Sequence, residues 1–294
     1  MRKFDPPKFR IVGLVIFLFS LAGCINTETV VQLNADGSGR IVEKTLMSRQ
    51  FVEQMAAMFK GMGDQLGGNT TDSPASKGLD LFSEDKARKR TAQLGEGVSF
   101  VSSKKISDAD WEGLESIYAF KDIRKVHLSE RHQPSDTPEA DSPESDKGNQ
   151  TTFGFARLPN GNSLLTVLTP PLDKKEKLEE KLEEKDDEDS SDSPVASKPT
   201  PDTESYKKMF AGFRILSAID VQGTVVKTTI PYQTGSRLTL LEIDFNQLLG
   251  NEAMLKELQA LKPKTLEEAK VLLKEVKGIK IPLDSKMLVE FRGK

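Results

Sequence analysis

The chain contains very few of the residues that form cross-links and metal sites. Its 294 residues include one cysteine and two histidines. A single cysteine excludes a disulfide within the chain. The chain has no C-x-x-C or H-E-x-x-H sequence, and its histidines, His127 and His132, do not form a cluster of metal ligands. We therefore expect no metal site and no cofactor.

An excess of charge of one sign is also missing. The chain has 42 basic and 45 acidic residues, a formal net charge of −3. No block of basic residues is interleaved with aromatic ones, so we expect no nucleic-acid partner. The G-x-S-x-G, Walker and dinucleotide-binding motifs are absent, so we expect no enzymatic activity. With 45 acidic residues in the chain, a catalytic pair of carboxylates is not excluded.

The apolar run at the N-terminus, 11–19, is too short to span a bilayer, which needs about 20 residues. Basic residues precede this run, and small residues follow it up to position 23. That order is typical of a secretory signal peptide. The sequence therefore predicts a signal peptide over 1–23.

The four residues that close this segment, Leu21-Ala22-Gly23-Cys24, resemble the lipobox of bacterial lipoproteins and match it at every position. The resemblance implies cleavage between Gly23 and Cys24 and attachment of diacylglycerol, with acyl chains such as palmitate, to the thiol of Cys24. No Asp follows the cysteine, which resembles the sorting pattern for the outer membrane. We expect a lipid-anchored protein that faces the periplasm from the outer rather than the inner membrane. The alternative is an uncleaved signal anchor.

The residues after Cys24 predict a β-hairpin. Segments 29–35 and 40–46 alternate apolar and polar residues, and Asp36-Gly37 between them is a strong turn signal. About four residues separate Cys24 from the first predicted strand. Such a short link should hold the folded body almost on the lipid headgroups.

The remaining pattern predicts an α+β fold: a mostly antiparallel sheet made of several hairpins, with helices packed on one face. Further strands are predicted at 98–103, 116–120 (with 126–128 as a candidate extension), 152–158, 163–169, 213–221, 224–230, 238–245, and, as a last pair, 279–283 and 287–291. Helices are predicted at 49–59, 84–94, 204–211, 252–261 and 266–276.

Three stretches, at about 61–78, 130–150 and 172–203, have the composition of disordered insertions. The hairpin at 152–169 lies between two of them. Because a lone hairpin is marginally stable, it should pair with strands on both sides of it in the chain. We therefore predict a single composite domain over 24–294; the alternative is two domains divided within 172–203.

Two acidic segments, 34–39 and 108–113, begin like calcium-binding loops. The twelfth position of each loop is Thr45 or Ala119, where an EF-hand needs a bidentate Glu. Both segments therefore predict turns rather than metal sites.

Two groups of aromatic and Met residues have helical spacing. Packing in the core explains both groups. The alternative is an apolar groove for an acyl chain or a partner helix, since Met suits an adaptable apolar surface. The candidate groove residues are Phe51, Met55, Met58, Phe59, Tyr206, Met209, Phe210 and Phe213.

The D-G-S-G hairpin directly after the cysteine resembles that of other bacterial envelope lipoproteins. Segment 213–245, with its order of strand, Gly, strand, turn and strand, is similar to LppM-type lipoproteins, whose α+β domain is implicated in lipid-linked envelope molecules. The expected function is that of a non-enzymatic binding or structural module at the membrane surface. Its expected partners are the membrane and an envelope protein or amphipathic ligand. The alternative is an envelope-polymer hydrolase that uses paired carboxylates.

Overall fold

The computed structural model describes residues 25–53, 82–129, 150–170, 212–250 and 276–293. Strands take up 59% of the described residues and helices 15%. The fold is therefore mostly β, in two sheets, which agrees with the coarse α+β prediction. The packing of helices on one face stays a prediction.

Thirteen strands form the described part of the fold. Their bounds are β1 Ile25–Leu33, β2 Gly39–Ser48, β3 Ser99–Ser107, β4 Trp111–Phe120, β5 His127–Ser129, β6 Gln150–Arg157, β7 Ser163–Leu168, β8 Arg214–Val221, β9 Gly223–Thr228, β10 Gln233–Thr234, β11 Arg237–Asp244, β12 Ile279–Lys280 and β13 Lys286–Gly293. Helix α1 covers Glu84–Leu94 and helix α2 covers Phe245–Leu249, and a 3₁₀ turn lies at Ile123–Lys125.

The helix predicted at 84–94 is confirmed, and the helix predicted at 49–59 begins as expected and is helical to 53. Its other residues and the helices predicted at 204–211, 252–261 and 266–276 lie outside the described residues, except that Val276, the last residue of the third helix, is described and is not helical. The predicted insertions at 61–78, 130–149 and 172–203 lie outside them too. Gln150, which was assigned to an insertion, instead begins β6.

The first sheet has the strand order β10-β11-β8-β1-β2-β4-β3, and β12 also pairs with β11. Its β1–β2 hairpin confirms the prediction, and Asp36 closes the turn by accepting the backbone N–H of Ser38 at 2.9 Å and its hydroxyl at 2.6 Å. β1 is rich in Val and Thr, which favour strands. It begins at Ile25, immediately after Cys24, so the expected four-residue link does not exist.

The second sheet has the order β5-β6-β7-β13-β9. The β6–β7 hairpin pairs with β5 on one side and with β13 on the other. This confirms the prediction that the hairpin pairs with strands on both sides of it in the chain. Each sheet thus combines strands from before and after 172–203. The number of domains stays a prediction.

Two strand assignments need correction. Segment 126–128 does not extend β4, because the 3₁₀ turn redirects the chain and β5 joins the second sheet. The last two predicted strands do not pair with each other, since β12 pairs with β11 and β13 pairs with β7 and β9. Both errors concern the choice of partner strand, which local sequence does not determine.

The two sheets face each other across one apolar core, with alternate residues of their strands pointing inward. This core includes residues from both sheets, such as Val31 and Leu33 from the first and Leu165, Val289 and Phe291 from the second, and all five are fully buried. The described part of the fold is therefore a β-sandwich.

The two ends of this sandwich differ. One end, which we call the amino end, contains Ile25, its pairing partner Met47, and the start of β8, where Arg214 pairs with Asn26. The opposite end, which we call the turn end, has the short turns at 34–38, 158–162, 222 and 235–236. The hydroxyl of Ser163 donates to the carbonyl of Ala35 at 2.6 Å and joins the sheets there. The connections 130–149, 171–211 and 251–275 leave and re-enter the sandwich at the amino end.

Candidate functional site

A cavity of about 40 Å³ lies between the two sheets, on the side of the amino end. Most of its wall is apolar, and hydroxyl groups from both sheets together with an Arg–Glu pair form the polar part. The polar lining residues are Thr29, Glu43, Arg90, Ser129, Thr151, Thr169 and Ser217, and the apolar ones are Leu128, Ile215, Leu240 and Leu241.

A row of polar residues crosses the inner face of the first sheet at this level. Thr29 pairs with Glu43 on one side and with Ser217 on the other, and Glu43 in turn pairs with Ser116. Two residues closer to the turn end, the corresponding row is apolar and contains the fully buried Val31. The interior therefore changes from apolar to polar along the strands, and the cavity lies at the change.

Helix α1 places Arg90 against this row. The hydroxyl of Ser83 caps the helix by accepting the N–H of Lys86 at 3.4 Å, and acidic residues occupy the first turn, as a helix N-terminus favours. Leu94 is fully buried at the other end. The chain leaves the helix through Gly95, where a Cβ would lie 1.9 Å from the carbonyl oxygen of Lys125. The backbone of Gly95 is therefore packed directly on the 3₁₀ turn.

The Arg90 guanidinium reaches Glu43 with Nη2–Oε1 at 3.2 Å, and it also donates to Gln93 at 2.6 Å. The two charged side chains are only 20% and 13% exposed. Removing one partner of such a shielded pair leaves the other charge poorly solvated, so the pair matters more than a surface salt bridge does. It fixes α1 against the polar row.

A β-bulge forms part of the apolar wall. The register between β11 and β8 shifts between Thr239 and Leu241, so Leu240 is an extra residue on β11. The bulge lets two consecutive residues, Leu240 and Leu241, line the same cavity.

The size of the cavity limits what it can hold. Pockets for small-molecule ligands usually measure about 300–1,000 Å³. At about 40 Å³ this cavity accommodates a water-sized polar group and excludes an acyl chain. Its hydroxyls can donate and accept hydrogen bonds.

A second polar cluster lies on the first sheet around Glu242, which is 9% exposed. Arg214 donates to Glu242 at 3.1 Å and Lys280 donates to it at 2.6 Å. Burial alone would raise the pKa of Glu242, but these hydrogen bonds outweigh burial and hold the pKa below its usual value. A general acid needs a raised pKa, so this carboxylate has the opposite property.

The other buried carboxylate of the described residues, Asp244, caps helix α2 by accepting the N–H of Gln247 at 3.3 Å and its side-chain amide at 2.9 Å. Both buried acids therefore have structural partners. The pair of facing catalytic acids that the hydrolase hypothesis requires gains no support from them.

The turn predicted at 108–113 is confined to 108–110, where Asp108 accepts the N–H groups of Asp110 and Trp111 at 3.0 and 2.8 Å, and residues 111–113 belong to β4. Among the described residues no group of three or more His, Cys, Asp or Glu is arranged to hold a metal ion. His127 is half-buried, and its Nδ1 has no hydrogen-bond partner among them.

Most of the predicted site residues cannot be placed. Gly23 and Cys24 lie outside the described residues, as do the groove candidates Met55, Met58, Phe59, Tyr206, Met209 and Phe210. Phe51 is 5% exposed, and Phe213 packs edge-to-face on Phe245 with ring centroids 5.1 Å apart. The apolar groove stays a prediction.

Sequence reasoning missed the cavity, although a signal was present. Thr29 shares the inward alternation of Val31 and Leu33 on β1, and Glu43 shares that of Ile41 on β2. A polar residue at an inward strand position is uncommon unless it has a partner. Reading the two strands together would have indicated a polar interior at this level.

No family model matches the chain, and no curated protein matches it. Among solved structures, the NMR structure of the folded domain of LppM from Mycobacterium tuberculosis matches over 93% of this chain and 92% of that one. The identity is 8% and the TM-score is 0.28, which is too low for an argument about fold or function. In the described ranges no helix combines the length and apolar character needed to cross a membrane.

Proposed function

We propose that this chain is a lipid-anchored lipoprotein of the bacterial cell envelope and that its β-sandwich is a non-enzymatic binding module at the membrane surface. The observation that carries the proposal is the start of β1 at Ile25, the residue directly after the lipobox cysteine. Because no linker separates Cys24 from β1, the module stays on the membrane whenever Cys24 is acylated. We further propose the outer membrane, facing the periplasm, as its location.

The energetics of acylation support a permanent attachment. Each CH₂ group buried in the bilayer contributes about 0.8 kcal/mol, so two or three acyl chains hold a protein far more firmly than one chain does. The strand that follows the cysteine extends by at most about 3.6 Å per residue. The fold therefore remains within a few ångströms of the headgroups.

The cavity supports a binding role. Apolar side chains, hydroxyl groups and one charge pair line it, and its volume of about 40 Å³ fits a small polar group. We propose that the partner is an envelope protein or an amphipathic ligand. Only a small polar part of such a ligand would enter the cavity, and the rest would lie outside it.

Labelling of growing cells with radioactive palmitate tests the anchor. The wild type should take up the label and co-sediment with membranes, and the Cys24→Ser variant should lose both properties. The matched control is Cys24→Ser with Ser236→Cys, which returns one thiol to the chain in an exposed turn outside the lipobox. This double variant should also remain unlabelled.

Unlabelled wild-type protein, or a labelled double variant, would contradict the proposal.

Density-gradient separation of the two membranes tests the location, because an outer-membrane protein sediments in the denser fraction. Native mass spectrometry of the Cys24→Ser protein tests the binding role. If neither a co-purified amphipathic ligand nor a cross-linked envelope protein is found, the result would argue for a structural spacer instead.

A further inference from the structure

We infer that the sandwich stands on the lipid surface by its amino end, with the turn end directed away from the membrane. This orientation rests on the proposed function, because it requires an acylated Cys24. It adds which surface of the fold contacts lipid. Three features of the described residues support it.

The first feature is the position of Ile25 within the first sheet. It pairs with Met47, which in turn pairs with Glu112, so only the row of Ser48 and Trp111 lies further out at the amino end of the sheet. β1 then runs nine residues away from that end. At about 3.3 Å per residue the strand carries the chain about 30 Å from the anchor, to the turn at 34–38.

The second feature is the absence of a link that would let the sandwich lie on its second sheet. Exposed apolar residues on that sheet, Leu168 at 41%, Leu288 at 36% and Val226 at 53%, make it the competing contact surface. Ile25, however, belongs to the first sheet, and packed sheets are separated by about 10 Å. One residue spans at most about 3.6 Å, so this orientation would lift the anchor from the surface.

The third feature is the charge on the first sheet. Arg237 donates to Asp220 at 2.9 and 2.7 Å and lies 3.8 Å from Glu28. Arg214 bridges Glu28 and Glu242. Laying this network on a bilayer would remove water from several charges, which is costly even when they are paired. Contact through the amino end, where Arg214 lies, leaves Arg237 and Asp220 in water near the turn end.

The orientation has a consequence for the cavity. Ser129, Thr151 and Thr169 line it and lie at the amino end of the second sheet, where Ser129 pairs with Gln150. The polar part of the interior is then closer to the headgroups than the apolar part. The long connections at 130–149, 171–211 and 251–275 leave the sandwich at this end as well.

Fluorescence quenching measures the orientation directly. Cys24 is the only cysteine, so in the acylated protein an introduced cysteine is the only free thiol. Asp110→Cys at the amino end, Ser236→Cys at the turn end and Leu288→Cys on the second sheet replace exposed side chains. Each full-length acylated variant is labelled with bimane and reconstituted into phosphatidylethanolamine–phosphatidylglycerol vesicles that contain headgroup nitroxide lipid.

We expect the label at 110 to lose roughly half of its fluorescence and the label at 236 to lose roughly none, because about 30 Å separates the two ends. The label at 288 should give an intermediate value. Equal quenching at 110 and 236, or the strongest quenching at 288, would overturn the orientation. Thermal unfolding of each variant verifies that it is folded.

Vesicle flotation in the same samples separates this inference from the proposed function. Protein that fails to float with the vesicles would overturn both the anchor and the orientation. Protein that floats but shows no difference between positions 110 and 236 would overturn the orientation alone.

Discussion

The carboxylate of Glu242 is nearly buried, and its charge is compensated by Arg214 and Lys280. Its pKa in the folded protein lies below the usual value because these hydrogen bonds outweigh the effect of burial. A lowered pKa means that the ionised form stabilises the fold. This contribution is complete above pH 4.5, the ordinary value for Glu, and is lost as the pH falls through the lower pKa of the folded state.

We predict that Glu242→Gln reduces the free energy of unfolding by about 1–2 kcal/mol at pH 7, because two cations lose their partner. The difference from the wild type should shrink below about pH 4.5 as the wild-type carboxylate becomes protonated. Urea unfolding between pH 3 and 7 measures both effects. The matched control is Glu84→Gln, whose ion pair with Arg88 is exposed and should contribute little. A difference that persists unchanged at pH 3 would contradict the prediction.

Arg90 and Glu43 should be energetically coupled because their side chains are largely shielded from water. In a double-mutant cycle with Arg90→Met and Glu43→Gln, we predict a coupling of roughly 1 kcal/mol in the free energy of unfolding. The same cycle on the exposed pair of Arg88 and Glu84 should give at most about 0.5 kcal/mol. Equal coupling in both pairs would mean that the cavity wall does not depend on Arg90.

The edge strands β3 and β9 each contain a β-bulge. Each contains one extra residue opposite its neighbour: Val101 on β3 and Val226 on β9. Among the residues that the structure describes, these two are also the most exposed large hydrophobic ones, at 48% and 53%. A bulge twists an edge strand and interrupts its row of free backbone groups, which hinders pairing with another chain. The exposed valines are therefore explained by the bulges.

We predict that deletion of Val101 increases self-association. Phe100 pairs with Tyr118 and Ser102 with Ile117, so removing the residue between them leaves both pairs in place and makes the edge regular. The control Val101→Ser keeps the bulge and removes only the apolar side chain. Light scattering after size exclusion should show concentration-dependent oligomers for the deletion and monomers for the substitution. A deletion variant that stays monomeric, or oligomers of both variants, would contradict the prediction.

The hairpins were predictable because their signals are local. Asp36-Gly37 and Asn160-Gly161 each lie between alternating segments, and turn geometry then sets the register. The choice of sheet was not predictable, because it depends on contacts far apart in the sequence. β5 illustrates this: its three residues carry no signal for the second sheet, and its assignment follows only from pairing with β6. The polar row was predictable only in part: Thr29 and Glu43 face inward on the predicted hairpin, but Thr29 and Ser217 meet through a parallel pairing of distant strands.

At the scale of the whole molecule, the two sheets are joined by their common core and by the chain itself. β8 of the first sheet and β9 of the second are separated only by Gln222, whose N–H donates to the carbonyl of Leu33 at 2.7 Å. Leu33 and Phe291 belong to opposite sheets and to one buried cluster. If one sheet unfolds, the apolar inner face of the other sheet becomes exposed to water.

We therefore predict one cooperative unfolding transition rather than two. Trp111 is the only tryptophan and reports on the first sheet, and a fluorescent label at Leu288→Cys, in the Cys24→Ser background, reports on the second. The two probes should give the same urea midpoint, as two-state unfolding requires. Leu33→Ala, which removes about 2–5 kcal/mol from the first sheet, should lower both midpoints equally. A shift confined to Trp111 would instead show that the two sheets unfold as independent units.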